Sequence, residues 1–193
     1  MARANLTPER LITAGAELAD TAGLEQLTLS ALARQFGVQP ASLYSHLASR
    51  DELIAGVHRF ALGELAQRVA EAVAGRAGRD ALIGLANAHR DYSRERPGAW
   101  EALLRPASPE TARSAEAAQL STLTLAVLRG YNTPEDSLVD ATRFVGATIN
   151  GFLSLSRSES FAHRSDDVAR SWLAALDAID RALTSWPRKD TPA

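Results

Sequence analysis

Apolar residues recur along this chain at spacings of three and four, and the polar residues between them fall where helices start and stop. Thr7-Pro8-Glu9 has the order of an N-cap, a first-turn proline and an acid that complements the helix dipole. The helix it opens carries Leu11 and Leu18 with small neighbours on one face, and Gly23 suits its C-terminal end. Thr28 can cap a second helix ending near Gln35, Gly37 permits a tight turn, and Pro40 stands in the first turn of a third helix running to about Leu47. Ser49-Arg50-Asp51-Glu52 is a capping box that opens a long fourth helix to about Ala74.

The same punctuation continues. Gly75 and Gly78 close the long helix, and a fifth of about Arg79–Arg94 carries Leu82, Leu85, His89 and Tyr92 on one face. Pro97-Gly98 breaks the chain before a short helix through Trp100 and Leu103. Ser108-Pro109-Glu110 and Thr133-Pro134-Glu135 repeat the cap–proline–acid start, predicting helices of roughly Pro109–Arg129 and Pro134–Arg157 separated by Gly130. Ser165 caps a last helix, Asp166-Asp167 are its N-terminal acids, and Trp172, Leu176, Ile179, Leu183 and Trp186 form its apolar stripe. No useful strand-like alternation and no repeat interrupts this pattern. The expected fold is all-α, with about nine helices.

Composition narrows the function classes. With 46% hydrophobic and 23% charged residues the chain reads as an ordinary globular protein. It has no cysteine, which removes disulfides, thiolate nucleophiles and Cys-based zinc sites. No run approaches the roughly 18 apolar residues of a membrane span, and Glu9, Arg10, Glu17 and Asp20 interrupt any leader-like stretch, so a cytoplasmic location is expected. The four histidines are scattered at 46, 58, 89 and 163, and neither an HExxH pair nor a glycine-rich phosphate loop occurs, so no enzyme and no cofactor or metal is expected. The net charge of −2 gives no support for nucleic-acid binding, but its distribution does: no acid lies between Glu25 and Asp51, where Arg34, His46 and Arg50 lie.

That window has the layout of a helix-turn-helix: two short helices joined by a glycine turn and followed by a long one. Leu29, Leu32, Ala33, Val38, Leu43 and Leu47 are the apolar positions that lock it together, leaving Gln39, Pro40, Ala41, Ser42, Tyr44, Ser45 and His46 to face outward. The segment LTLSALARQFGVQPASLYSHLASRDELI, residues 27–54, resembles the N-terminal domain of the TetR family of regulators in Thr28, Gly37, Leu43-Tyr44, His46 and Arg50 before Asp51-Glu52-Leu53. The resemblance implies phosphate contacts from Thr28, Tyr44, His46 and Arg50, with Gln39, Pro40, Ala41, Ser42 and Ser45 nearest the bases. No arginine stands on that face, so the bidentate guanine contact is missing and readout is expected to lean on Gln39, methyl contacts and DNA shape. Arg3, in the N-terminal arm, is a weaker minor-groove candidate.

The resemblance divides the chain into a DNA-binding domain, residues 1–51, and a C-terminal effector-binding and dimerisation domain, residues 52–193. It implies a homodimer that binds a pseudo-palindromic stretch of double-stranded DNA, represses, and is released by a small, mainly apolar effector. The effector candidates are His89, Tyr92, Trp100, Leu103, Leu104, Leu123, Val127, Phe144 and Asn150, chosen as polar or large residues on apolar helical faces. Core or interface packing is an equal reading for each. The dimer candidates are Val145, Ile149, Phe152, Trp172, Leu176, Ile179 and Leu183, with Gly146, Ala147 and Gly151 allowing close backbone approach. A structural dimerisation module is the rival to a regulator. Loss of DNA binding in a folded Tyr44→Ala/Arg50→Ala variant separates the two.

Overall fold

The computed structural model describes residues 6–163 and 167–187; Arg3, Ser165 and Asp166 lie outside them. Among these residues there are nine α-helices and no strand. They are α1 (Pro8–Ala22), α2 (Leu29–Phe36), α3 (Arg50–Val73), α4 (Gly78–Glu95), α5 (Pro97–Leu103), α6 (Pro109–Ala112), α7 (Ala115–Arg129), α8 (Leu138–Arg157) and α9 (Val168–Thr184). No helix among them is long and apolar enough to cross a membrane.

Several starts form as the cap chemistry requires. The Thr7 hydroxyl accepts from Arg10 N at 3.3 Å, Thr28 from Ala31 N at 3.0 Å, Ser49 from Glu52 N at 3.1 Å and Ser108 from Thr111 N at 3.2 Å. The Glu52 carboxylate reaches back to Ala48 N at 2.5 Å.

Three expected helices differ. The segment expected as a helix from Pro40 to Leu47 is a 3₁₀ turn, Pro40–Ser42, followed by turns. Eight residues are few for nucleating a helix, and the Ser45 hydroxyl takes the Ser42 carbonyl at 2.9 Å, competing with the backbone ladder. The expected helix Pro109–Arg129 is two, because Ser114 accepts from Ala117 N at 3.2 Å and caps a fresh start. Thr133-Pro134-Glu135 does not cap: a 3₁₀ turn, Glu135–Ser137, comes first, and the buried Thr133 hydroxyl has no partner among the described residues. The cap of α9 is Asp167, which accepts from Ala169 N at 2.8 Å.

The chain forms two compact units, residues 1–66 with 92–120 and residues 67–91 with 121–193. In the first unit α5 lies directly on α1. A Cβ on Gly98 would stand 2.1 Å from the Ala19 carbonyl carbon, so only glycine permits the approach. Asp20 then caps α5, accepting from Gly98 N at 2.8 Å and Ala99 N at 3.0 Å through Oδ1, while Oδ2 accepts from Arg96 Nε at 2.6 Å. Arg96 also donates to Glu64 at 3.1 Å, and Glu64 accepts from the buried Tyr92 hydroxyl at 3.0 Å. Around this network Leu11, Leu24, Leu32, Leu53, Val57 and Trp100 form the core, each large apolar side chain contributing about 1.5–3 kcal/mol by burial. The second unit packs Leu82, Leu85, Leu128 and Val145 with the α9 stripe Trp172, Leu176, Ile179 and Leu183.

Candidate nucleic-acid interface

The helix-turn-helix is held by its apolar side and free on its polar side. Gly37 ends α2 in the left-handed conformation at φ 64°, a geometry that favours glycine, and Val38 N then bonds Ala33 O at 3.0 Å. Gln39 is extended, which lets Pro40 start the next turn with its fixed φ. Leu43 N bonds Pro40 O at 3.0 Å, His46 N bonds Leu43 O at 2.9 Å, and Leu47 N bonds Leu43 O at 3.0 Å. Leu29, Leu32, Ala33, Leu43 and Leu47 are buried, and Val38 is half-buried. Gln39, Ala41, Ser42, Tyr44 and Ser45 are exposed, while Pro40 and His46 are half-buried. Tyr44 is 57% exposed and has no hydrogen-bond partner among the described residues. A large aromatic held out of the core on a segment without acids has the form of a docking group.

Two of the four expected phosphate contacts have structural work as well. The Thr28 hydroxyl is the cap of α2. Arg50 Nε donates to Leu27 O at 2.7 Å, and its Nη2 to Leu24 O at 3.2 Å and Glu25 O at 3.3 Å. The Glu25 carboxylate lies 3.8 Å away. Arg50 therefore fastens the 3₁₀ turn Leu24–Gln26 and Leu27 to the start of α3 by charge-assisted bonds to their carbonyls. Its Nη1 has no partner among the described residues. Nothing in the sequence separated this bracket from a phosphate contact, since both need a cation at the same place.

Comparison with known proteins decides the family. Residues 11–57 match the family described as bacterial regulatory proteins, tetR family, and residues 82–179 match the tetracyclin repressor-like C-terminal domain. The HTH-type transcriptional regulator YobS of Bacillus subtilis strain 168 is 31% identical over 170 residues, covering 88% of each chain. The chain belongs to the TetR family. Solved structures agree in fold: BioQ of Mycobacterium smegmatis has a TM-score of 0.73 at 21% identity, covering 94% of this chain and 100% of that one. ActR of Streptomyces coelicolor in complex with (S)-DNPA has a TM-score of 0.74 at 18% identity, covering 96% and 100%. This TetR-family chain is thus a DNA-binding transcriptional regulator and not an enzyme.

The residues expected to line an effector pocket are divided between the two compact units. Tyr92, Trp100, Leu103 and Leu104 belong to the first compact unit, and His89, Leu123, Val127, Phe144 and Asn150 to the second. Tyr92 is buried and bonded to Glu64, and Trp100 is buried in the core of its own unit, so both already have packing roles. Leu104 is exposed and Leu103 half-buried. In the second unit His89 Nδ1 lies 2.9 Å from Leu85 O, which fixes Nδ1 as the protonated nitrogen. Burial pushes the His89 pKa below its ordinary value, so the ring is neutral at pH 7 and Nε2 keeps an acceptor lone pair. Leu123 and Asn150 are half-buried, Val127 is buried, and Phe144 is partly exposed with its ring 5.7 Å from that of Trp186.

The dimer candidates need a correction. Val145, Ile149, Trp172, Leu176, Ile179 and Leu183 are buried within a single copy and have almost no surface left for a partner. Trp172 is tied further by its Nε1 donating to Asn87 Oδ1 at 3.0 Å and by the Phe152 ring at 5.2 Å. Phe152 itself is half-buried, with Phe161 on it at 5.3 Å. The stripe that periodicity marks is the one that joins α8 to its own unit. Among the described residues, the apolar side chains left uncovered on these helices are Val139, at 58%, Leu155, at 47%, and Phe144, at 37%, on α8, and Leu173, at 58%, and Val168, at 37%, on α9.

Proposed function

We propose that this regulator is a homodimeric repressor, released from a pseudo-palindromic operator by a small, mainly apolar effector. The observation that carries the DNA-binding part is the exposed, acid-free segment Gln39–His46, seated by Leu43 and Leu47 and presenting an unpartnered Tyr44. Tyr44, His46 and the free Nη1 of Arg50 would meet phosphates, with Thr28 at the start of α2. Gln39, Pro40, Ala41, Ser42 and Ser45 would lie nearest the bases. With no arginine among them, much of the specificity would come from DNA shape and from half-site spacing.

The homodimer reading rests on the outer faces of α8 and α9. Val139, Leu155 and Leu173 are uncovered there, and a Cβ on Gly146 or Gly151 would meet nothing within 4 Å in one copy. A second copy packed on these helices would bury part of this apolar surface and bring two recognition segments to half-sites about 34–36 Å apart, one turn of DNA. The effector reading rests on neutral His89, with Leu123, Val127, Phe144 and Asn150 as the apolar and polar groups of the same unit. ActR, similar in fold, was solved with (S)-DNPA bound. The chain passes from one compact unit to the other within α3, making that helix the proposed link. A coupling of about 1–3 kcal/mol would lower DNA affinity about 5- to 150-fold.

Selection of DNA from a random duplex library by the full chain tests this. Enriched inverted repeats that are lost on adding a hit from a small-molecule panel support the proposal. Enrichment of single, unrepeated sites by a monomer contradicts it.

A further inference from the structure

A cleft of about 320 Å³ opens in the first compact unit, lined by Arg50, Ile54 and His58 from the first turns of α3 and by Arg105, Pro106 and Ser108 beyond α5. Its volume is at the small end of ligand sites. The polar groups left open in its lining are mostly donors. Arg50 spends Nε and Nη2 on carbonyls and keeps Nη1 without a partner among the described residues. Arg105 uses Nη2 for the Glu25 carboxylate and, more weakly at 3.9 Å, for Glu101, so its Nε and Nη1 have no partner among the described residues either. His58 is 6% exposed and makes no hydrogen bond among the described residues, and its ring nitrogens are not sealed from solvent. They are open to whatever enters the cleft. The Ser108 hydroxyl, by contrast, is already bonded to Thr111.

Charge then decides what kind of acceptor fits. The two guanidinium groups stand together, because both reach the Glu25 carboxylate: Arg105 is paired with Oε1, and Arg50 Nη2 lies 3.8 Å from Oε2. Glu25 offsets part of their charge but does not line the cleft, where the exposed Asp51 is the one acid. A cation would meet both arginines. An uncharged acceptor would form hydrogen bonds about half as strong as those an anion forms with the same guanidinium groups. A second negative charge would be repelled by Asp51. One negative charge satisfies the open donors at least cost. Beside them Ile54, Ala55, Pro106 and Ala107 offer apolar surface to the rest of the molecule.

We infer that this cleft is a second small-molecule site, taking a compact monocarboxylate whose oxygens accept from Arg50, Arg105 and His58 and whose apolar body lies against Ile54 and Pro106. Burial holds the His58 pKa below its ordinary value, so the ring is neutral at pH 7 and gives the carboxylate one N–H donor. This site is independent of the effector proposed above, whose residues lie in the other unit. Arg50 lines the cleft and also fastens residues 24–27, so an occupant sits beside the mounting of the recognition segment.

The test is NMR of the full chain with ¹³C-labelled histidine, using benzoate as the probe and benzamide and phenyl phosphate as comparisons. The His58 resonance, assigned by its loss in His58→Gln, shifts saturably with benzoate while the His89 resonance stays in place. Benzamide, which has the same shape without the charge, and phenyl phosphate, which carries a second charge, bind at least about tenfold more weakly. Arg105→Gln removes an exposed ion pair, so it leaves the melting temperature nearly unchanged, yet it weakens benzoate binding at least about tenfold. An unshifted His58 resonance in the unaltered chain overturns the proposal, whatever the fate of the variants. So does benzamide or phenyl phosphate binding as tightly as benzoate, or undiminished benzoate binding by the folded Arg105→Gln chain.

Discussion

Arg50 holds three main-chain oxygens, while Tyr44, six residues earlier, holds nothing and stands in solvent. Replacing each should therefore fail in different ways. Arg50→Ala removes the side-chain donor from Leu27 O and Glu25 O and leaves Leu24 O with Leu27 N alone, and it should cost about 1–3 kcal/mol of stability, read by urea unfolding. Tyr44→Ala should change stability by no more than about 0.5 kcal/mol while weakening DNA binding. The double variant thus mixes two effects, and the single Tyr44 variant is the cleaner probe. Two histidines whose pKa burial lowers give a pH dependence. His58 and His89 have folded pKa values below the unfolded value of about 6.5, so the unfolded chain binds more protons in this range. Their contribution to stability is present above the unfolded pKa and is lost as pH falls through and below it. The melting temperature should drop on acidification from pH about 7.5 to 5, and a His58→Gln/His89→Gln variant should flatten that slope. An unchanged slope in the folded double variant would contradict neutral burial of both rings.

At the scale of elements, caps were legible where a hydroxyl and a proline stood alone before a helix, as at Thr7 and Ser108. The same triplet at Thr133 was not decisive, because the 3₁₀ turn Glu135–Ser137 takes the first place and leaves the hydroxyl unused. The count of about nine helices agrees with the structure only because two differences cancel. Pro40–Leu47 is not an α-helix, and Ser114 splits the segment 109–129 into two. The contact of α1 with α5 was not legible at all. Pro97-Gly98 reads as a helix break, whereas Gly98 is the residue that lets two backbones touch. Pairing of Asp20 with Arg96 spans 76 positions of sequence, which no local pattern reports. Gly98→Ala should destabilise the first unit by at least about 1–3 kcal/mol, because the added carbon meets backbone that cannot rotate away. A melting temperature equal to that of the parent would show that α1 and α5 can separate freely.

For the whole molecule, the family could be read from residues 27–54, but which apolar side chains a single copy buries and which it leaves exposed could not. Periodicity marks every residue that leaves water and does not say whether its own chain or a second copy covers it. Here Val145, Ile149, Trp172, Leu176, Ile179 and Leu183 are covered by their own unit, leaving Val139, Leu155 and Leu173 for a partner. Gly151→Leu should therefore leave the unit folded, since its Cβ position is open, and lower the mass seen by analytical ultracentrifugation from dimer to monomer. The central claim is that residues 39–46 carry the contact with DNA. It is tested most directly by fluorescence anisotropy on a selected duplex, comparing the parent chain with Tyr44→Ala at matched salt and with melting temperature as a control for folding. The account predicts an affinity loss of about tenfold or more at unchanged melting temperature. Equal affinity of the folded Tyr44→Ala chain would contradict it.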